Sequence, residues 1–502
     1  LVFQISNYAG ENMAGSKNFR PNFVFITSDQ HGSKYLGLMG HPIVKTPNLD
    51  KIADGGVVFL NSYCGNPVCV PSRSSMMTGM YASDVNSFCN STVYDGSYPT
   101  WAKQLRDEGY YCWATGKQDL NPEIDMGFVE EDVDHEHFTK PDITSLFRRP
   151  CTYRVDERGI VNGKSIKTRN PDKSNAELAI DFIKNKTKTL NQPWICYVGF
   201  HMPHPRFVGL ESYYDYYLPK VEVAETEIDE LENLPLPYQK LRDFKRISTP
   251  IPEDRIRRAK AAYFAMISEM DEYIGEIYQA LQDSGQIENT YFIYTSDHGE
   301  SLGEHGLWFK NNLYDVAAKI PLIISGPNLV SSRKINHPVG HIDLAATILE
   351  IGGINNDSRL RGKSLLPLIK GETEKEPEFV YSESFSEGNI TGSCMIRKGN
   401  WKLIYFSYYD SLLFNLENDP DEKNNLINDP QYKVKADELK KLLLSIANPD
   451  SITDRAFDLQ DKMLAQFVGK NNQHELMQIL KGRLGDGQAI ILSKQLKNES
   501  YS

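Results

Sequence analysis

Residues 66–83 read NPVCVPSRSSMMTGMYAS, which sets a cysteine, a rigid proline, a serine and an arginine inside the five positions 69–73, just before an apolar helix pattern rich in Ser and Thr. A cysteine so placed has more than one fate. Buried, it is a small hydrophobe at a helix start; with a helix N-terminus and a cation beside it, it becomes a reactive thiolate, either nucleophile or redox centre. Two further clusters follow apolar runs directly: Asp29 and Gln30 in TSDQHG, and Asp297 and His298 in TSDHGE. One Asp at a strand end is commonly a turn residue. Two such ends offer the oxygen ligands that hard divalent cations take, and such an ion activates a nucleophile at neutral pH. Lys117 in ATGKQDL, Lys310 in HGLWFKNN, His305 in GEHG and the histidines of GFHMPHPRF complete the set. Taken singly, each reads equally well as a solvated charge or a hydrogen-bonded structural histidine.

The elements that must position these residues alternate in type. NFVFITSD (22–29), WICYVGFH (194–201), TYFIYTSDHGE (290–300) and IPLIISGP (320–327) are apolar runs ending in polar or Gly/Pro punctuation, the pattern of strands buried on both faces. Helical patterns lie between them in YPTWAKQLRDEGY, NAELAIDFIKNK and RRAKAAYFAMISEMDEYIGEIYQALQDSG, the last stopping at Gly285. Strand alternating with helix predicts an α/β fold with a mainly parallel sheet covered on both faces. Asp29 and Asp297 then sit at the strand ends where such sheets place ligands. Residues 205–252, rich in Tyr, Pro and acid without a period, are expected to form a long loop insertion that shapes the cleft. Turn and charged residues near 362–378 mark a boundary, beyond which FVYSES, SCMIRKGNWKLIYFS and LLFNL alternate as antiparallel strands before the helix KADELKKLLLSI. The expected layout is a large unit over 20–370, an α+β unit over 371–450 and a helical tail over 451–502 with a loose polar end. Residues 1–19, beginning LVFQ, read as a processing remnant or as disorder.

The chain has 502 residues, 40% apolar and 24% charged, a globular composition too long for one ordinary core. With 55 Lys and Arg against 67 Asp and Glu the net charge is −12, so the surface as a whole repels nucleic acid and anionic membranes. An anionic substrate would need a local basic pocket. No apolar run approaches the roughly 18 residues of a spanning helix, and the first residues lack the order of a signal peptide. Seven cysteines without CxxC spacing make neither a disulfide scaffold nor a zinc site, and their odd number asks which one stands apart.

CVPSR matches the CxPSR signature of the sulfatase family, TGMY extends the match, and the resemblance runs from about residue 21 to 450. It implies an alkaline phosphatase-like α/β fold, a mainly parallel central sheet flanked by helices with a smaller C-terminal α+β domain. It also implies that Cys69 is oxidised to formylglycine by a maturation enzyme. One oxygen of the hydrated aldehyde would attack sulfur, and the other would expel the sulfate as the aldehyde re-forms. A divalent metal, most readily Ca2+ with Mg2+ or Mn2+ as alternatives, would be held by Asp29, Gln30, Asp297, His298 and the modified Cys69. Gln30 stands where the family often has a second Asp, and it offers only a neutral carbonyl oxygen. Arg73, Lys117 and Lys310 match the cations that the family places around the sulfate. His204, in an element resembling the family's PHxP, would protonate the leaving oxygen.

Many members have Lys-x-His where this chain has Lys117, Gln118, Asp119, so one histidine is missing. Asp119 would accept hydrogen bonds from sugar hydroxyls and repel a second sulfate, with His201 and His305 as further substrate-binding candidates; His201 fits a structural role better. GKxD, SYPTWAKQLRDEGY and YFAMISEMDEYIGEI resemble the arylsulfatase K, or uronate 2-sulfatase, branch; FHMPHP is similar to iduronate 2-sulfatase, and DQ with LGEHGLWFK to choline sulfatase and phosphonate monoester hydrolase. The expected activity is hydrolysis of a sulfate ester, 2-O-sulfated uronate or a related carbohydrate sulfate. A phosphonate monoester or phosphodiester hydrolase of the same fold is the alternative, and a non-catalytic glycan-binding relative a weaker one. The partners implied are a small sulfated substrate and the formylglycine-generating enzyme, with no nucleic acid and no membrane span. Family resemblance favours a lysosomal, secreted or periplasmic location.

Overall fold

The computed structural model describes residues 20–139, 143–147, 157–223, 231–329, 332–355, 358–372, 379–470, 473–485 and 489. The expectations for 1–19 and for the polar end of the tail lie outside the described residues, as does Cys151. A central sheet runs in the order β11 (Arg333–Gly340), β2 (Gly56–Tyr63), β10 (Leu322–Ser325), β8 (Thr290–Ser296), β1 (Asn22–Ser28), β6 (Trp194–Gly199), β3 (Tyr111–Lys117), β4 (Val129–Asp134), with β9 (Lys319–Ile320) beside β2. Every residue of β1, β6 and β8 is buried, which is why these strands read as unbroken apolar runs. One face packs Phe25 and Tyr197 against Trp101 and Leu105; the other packs Val24 and Ile26 with Phe182, Ile274 and Ile277.

The sheet is mainly parallel, as expected, except at β10 and at β9, which pairs antiparallel with β2. IPLIISGP supplies β10, which pairs antiparallel with both β8 and β2. A parallel return requires a crossover of a dozen or more residues, usually a helix. Between β8 and β10 the described chain holds only one-turn helical pieces, Glu304–Gly306 and Asp315–Ala318, so it doubles back. The segment 205–252 also departs from expectation, since it is not a featureless loop. It contains β7 (Val208–Leu210), paired with β5 (Lys164–Ile166), and helices Glu211–Tyr217 and Leu236–Phe244. Tyr217, Tyr238, Leu241 and Phe244 are buried there. Tyrosines carry the apolar faces of these short helices, which hid their periodicity among polar letters.

The 31-residue helix Glu253–Asp283 organises the strand ends from one face. Its Asp271 accepts from the backbone N–H groups of Asn48 (3.0 Å) and Leu49 (2.8 Å), satisfying orphan donors at the start of helix Pro47–Asp54. Its Tyr263 hydroxyl donates to the Gln30 carbonyl (2.7 Å), fixing the turn that follows β1.

Beyond the central sheet, β12 (Val380–Ser384), β13 (Ser393–Lys398), β14 (Trp401–Phe406) and β15 (Tyr409–Asn415) form an antiparallel sheet, packed by helix Lys433–Ile446. Helices Pro449–Lys470 and Gln473–Leu484 follow, and their Leu464 and Leu480 cluster with Ile143 and Leu146. Buried polar contacts tie the small sheet to the large one. The Glu383 N–H donates to the Gly65 carbonyl (2.9 Å), and its carboxyl bonds the Ser83 N–H (2.7 Å), the Ser83 hydroxyl (2.9 Å) and the Tyr381 hydroxyl (2.9 Å). Lys402 bridges Asp315 (2.6 Å) and Glu422 (2.7 Å).

Burial raises the Glu383 carboxyl from 4.5 to about 7. The fold therefore prefers its neutral form, so its contribution is fully present below about pH 4.5 and is lost as pH rises through about 7. Glu383→Gln, which keeps a neutral group there, should flatten this slope by up to about 3 kcal/mol between pH 5 and 8. Urea midpoints of the two proteins across that range test it; parallel curves would contradict it.

Candidate active site

Helix Cys69–Thr78 starts at the C-terminal edge of the central sheet, and all ten of its residues are buried. The Asn90 side chain accepts from the Val70 N–H (3.1 Å), capping the helix, and Gly79 closes it in the left-handed conformation at φ +69°. This places Cys69 at the first helical position, with its side chain against the ends of β1 and β8. Cys69 Sγ lies 3.6 Å from Asp29 Oδ2 and 3.5 Å from His298 Nε2. One ligand-type atom from each of Asp29, Cys69, Asp297 and His298 falls within 4.8 Å of the others. His298 Nδ1 lies 3.0 Å from the Gly299 carbonyl, a contact that fixes the proton on Nδ1 and turns the Nε2 lone pair to the cluster. Gln30 donates its amide N–H to Glu300, leaving its Oε1 buried without a partner. The two carboxylates and the imidazole lone pair of this cluster fit a hard divalent cation.

Positive groups surround this cluster unequally. Lys310 Nζ is 2.7 Å from Cys69 Sγ and 3.3 Å from His298 Nε2. Lys117 Nζ is 2.6 Å from Asp29 Oδ2 and 3.2 Å from Asp119 Oδ2. Arg73 is fully buried behind the carboxylates, its Nε 3.0 Å from Asp297 Oδ2, Nη2 3.6 Å from Asp29 Oδ2 and Nη1 donating to the Lys117 carbonyl (2.8 Å). It thus braces the carboxylates instead of lining open space. Lys117 reaches the cluster because Gly116, at φ +76°, and Gly199 let the ends of β3 and β6 approach where any Cβ would strike backbone.

The electrostatics follow from burial opposed by these cations. Burial and Asp29 push the Cys69 thiol up, but Lys310, Lys117 and the bond to His298 outweigh them and leave it at about 6. Burial also works against charge on Asp29, yet Lys117, His204 and Lys310 hold its carboxyl well below the usual range. His204 is half-buried with Nδ1 2.6 Å from the Pro205 carbonyl. Desolvation, resisted by Asp29 and reinforced by Lys310 and Lys117, lowers it to about 3.

Three of the candidate substrate contacts have partners within the protein, His201 among them in keeping with the structural role expected for it. His201 is gripped between Asp134 (Nε2, 2.8 Å) and Asp172 (Nδ1, 3.2 Å), which overcome its burial and raise it to about 9; both ring nitrogens are spent on carboxylates. His305 stacks on Tyr314 at 4.0 Å, and its charged neighbours are Lys402, Asp421, Lys423 and Asp419, none of them in the Cys69 cluster. Asp119 does not offer a free carboxylate to a sugar, because Lys117 and His137 occupy its Oδ2. In each case another side chain of the protein already holds the group.

Other residues gave no signal of their own. His137 pairs with Asp119, and Lys245, buried at 1% exposure, donates to the carbonyls of Trp308 (2.8 Å) and Lys310 (2.5 Å). Asn389 of the small sheet donates to the Asn311 carbonyl (3.1 Å). Both ends of the Lys310 segment are therefore held from outside the central sheet.

The sulfatase family model matches residues 21–354, and a second, described as N-sulphoglucosamine sulphohydrolase, C-terminal, matches 303–448. Arylsulfatase K of Danio rerio is 30% identical over 475 residues, covering 90% of this chain and 88% of that protein. Choline-sulfatase of Rhizobium meliloti is 30% identical, covering 83% and 84%. Among solved structures, phosphonate monoester hydrolase from Silicibacter pomeroyi superposes with a TM-score of 0.71 at 23% identity, over 85% of this chain and 95% of that one. The family's chemistry uses a divalent metal and a formylglycine, and the buried Asp/Cys/His cluster fits the metal. A match running through the central sheet and on into the small one is more than a shared motif, and the chain belongs to the sulfatase family of sulfuric ester hydrolases.

Proposed function

We propose that this chain hydrolyses carbohydrate sulfate esters by attack at sulfur from position 69, with 2-O-sulfated uronates or a related sugar sulfate as substrate. The observation that carries the reading is the meeting of Cys69 with Asp29, Asp297, His298 and the Lys310 ammonium in one buried cluster. Asp29, Asp297, His298 and Gln30 would hold a divalent ion, Ca2+ on the preponderance of oxygen donors, whose charge lowers the pKa of an adjacent nucleophile. Cys69, after conversion by the maturation enzyme, would supply a diol in place of the thiol. Lys310 and Lys117 stand preorganised for charge growing on the sulfate oxygens, in a site where low dielectric strengthens their effect. Arg73 keeps the two carboxylates apart and aimed.

His204 supplies the proton for the leaving alcohol. With Nδ1 donating to Pro205, its Nε2 is the free position, and in the ligand-free protein that nitrogen is unprotonated. A sulfate anion beside it favours the imidazolium, so the proton enters with the substrate. Arylsulfatase K and choline-sulfatase are about equally similar in sequence, so likeness alone does not choose between an acidic sugar and a cationic alcohol. The phosphonate-ester reading keeps support from the fold and from Gln30 beside Asp29.

Cys69→Ala should lose turnover at least about a thousand-fold while unfolding normally; retained turnover, or unmodified thiol by peptide mass spectrometry in active protein, would sink the mechanism. Assayed side by side, an aryl sulfate should be turned over faster than an aryl phosphonate monoester, and the reverse order would select the phosphorus-ester reading. His204→Ala should cost about 10²–10⁴-fold on a sugar sulfate but little on 4-nitrophenyl sulfate, whose leaving group needs no proton. Lys245→Met should lower kcat by up to about 10²-fold through misplacement of Lys310, with KM little changed and Lys245→Arg partly restoring it; an unchanged kcat would remove Lys245 from the account.

A further inference from the structure

Asp119 and His137 form a pair that the sulfate chemistry does not use. Asp119 ends the run Lys117, Gln118, Asp119 after β3, in the left-handed conformation at φ +52°, and its carboxylate is fully buried. Its Oδ2 is 3.2 Å from Lys117 Nζ and 2.8 Å from His137 Nδ1, and its Oδ1 accepts from the His137 backbone N–H (3.3 Å). Consecutive contacts therefore lead outward from Cys69 through Asp29, Lys117 and Asp119 to His137. His137 is the most open member, its side chain 18% exposed against 3% for Lys117. The pairing consumes Nδ1, and Nε2 meets no partner among the described residues.

We propose that His137, held against the Asp119 carboxylate, binds a second anionic group of the sulfated substrate, the carboxylate of a uronate or a further sulfate. The inference deepens the sulfate-ester reading above and rests on it. Asp119 acts as the anchor: its carboxylate stands at ion-pair distance from Nδ1 and leaves Nε2 for the ligand. Burial works against the imidazolium, but Asp119 outweighs it and raises the ring above its ordinary value. Charge around the cluster points the same way. The carboxylates of Asp29, Asp297 and Asp119 are matched by Arg73, Lys117 and Lys310, and His137 is a further basic group at the outer end of that set. A sulfate monoester carries one negative charge, and a second anion on the same sugar is then attracted. The positive group stands where the sequence led one to expect an anion that rejects a second charge.

The test is kcat/KM of the mature enzyme and of His137→Gln on four substrates: a 2-O-sulfated glucuronoside, its methyl ester, N,6-O-disulfated glucosamine and 4-nitrophenyl sulfate. The native enzyme should prefer the uronoside to its methyl ester. His137→Gln should lose about 10- to 100-fold, mainly in KM, on whichever substrate supplies the second anion, and stay within about two-fold on the methyl ester and the aryl sulfate. Loss on the uronoside assigns a carboxylate, loss on the disulfated sugar assigns a sulfate, and either supports the proposal. His137→Lys, which restores a cation, should recover part of the preference. An equal loss on all four substrates, or no loss on either doubly charged one, would overturn it. Failure of the native enzyme on every sulfate ester, with turnover of an aryl phosphonate, would instead defeat the sulfatase reading itself.

Discussion

Asp29 and Asp297 are two buried carboxylates standing side by side, because β1 and β8 pair in parallel from Asn22 opposite Thr290 to Ser28 opposite Ser296. Like charges removed from water at that spacing repel, and taking each out of solvent is itself costly. Much of the surrounding architecture answers that constraint. Arg73 reaches both carboxylates from helix Cys69–Thr78, and Lys117 reaches Asp29 from the end of β3. The Gln30 and His298 backbone N–H groups bond Asp297 Oδ1 at 3.0 and 2.8 Å. The arrangement persists because removing any one cation would strand an uncompensated buried charge, a loss of about 3–5 kcal/mol. The same repulsion that burdens the fold makes the place a strong trap for a divalent ion.

Around this centre the chain uses distant segments as supports. The long helix Glu253–Asp283 fixes the Gln30 turn through Tyr263, and the 205–252 segment supplies Lys245 to the carbonyls flanking Lys310. The small sheet holds Asn311 through Asn389 and the loop before Cys69 through Glu383. A catalytic group must be held to a fraction of an ångström to act on a transition state, and side chains at strand ends gain such precision only when neighbouring elements lock them. The C-terminal sheet is thus part of the site's scaffold as well as a separate packing unit.

Elements with one unambiguous pattern were legible. β1, β6 and β8 are buried on both faces, so their sequences carry no competing polar period, and the helices on the sheet keep the three- and four-residue spacing. The direction of β10 was not legible, since a four-residue apolar run is identical in either orientation and only its connection decides. Tyr217 and Tyr238 concealed helices because tyrosine is apolar in its ring and polar at its tip. His305 and Asp119 were expected in the pocket from their motifs, and His201 was a candidate there for which a structural role fitted better. Charge pairs with Asp134 and Asp172 and with Lys117 and His137 claimed two of them, and stacking on Tyr314 claimed the third.

CVPSR after a strand, carboxylates at two other strand ends and an alternating α/β pattern are local features, set by residue type and by periodicity along the chain, and the resemblance of CVPSR and TGMY to the sulfatase family gave them a reaction. The tertiary structure decided which charges face one another. Arg73 braces carboxylates, Asp119 is spent on Lys117 and His137, and His137 takes the outward position expected of Asp119. That division has a physical cause. Secondary structure follows from interactions a few residues apart, whereas buried ionic contacts depend on desolvation and on partners brought together from far along the chain.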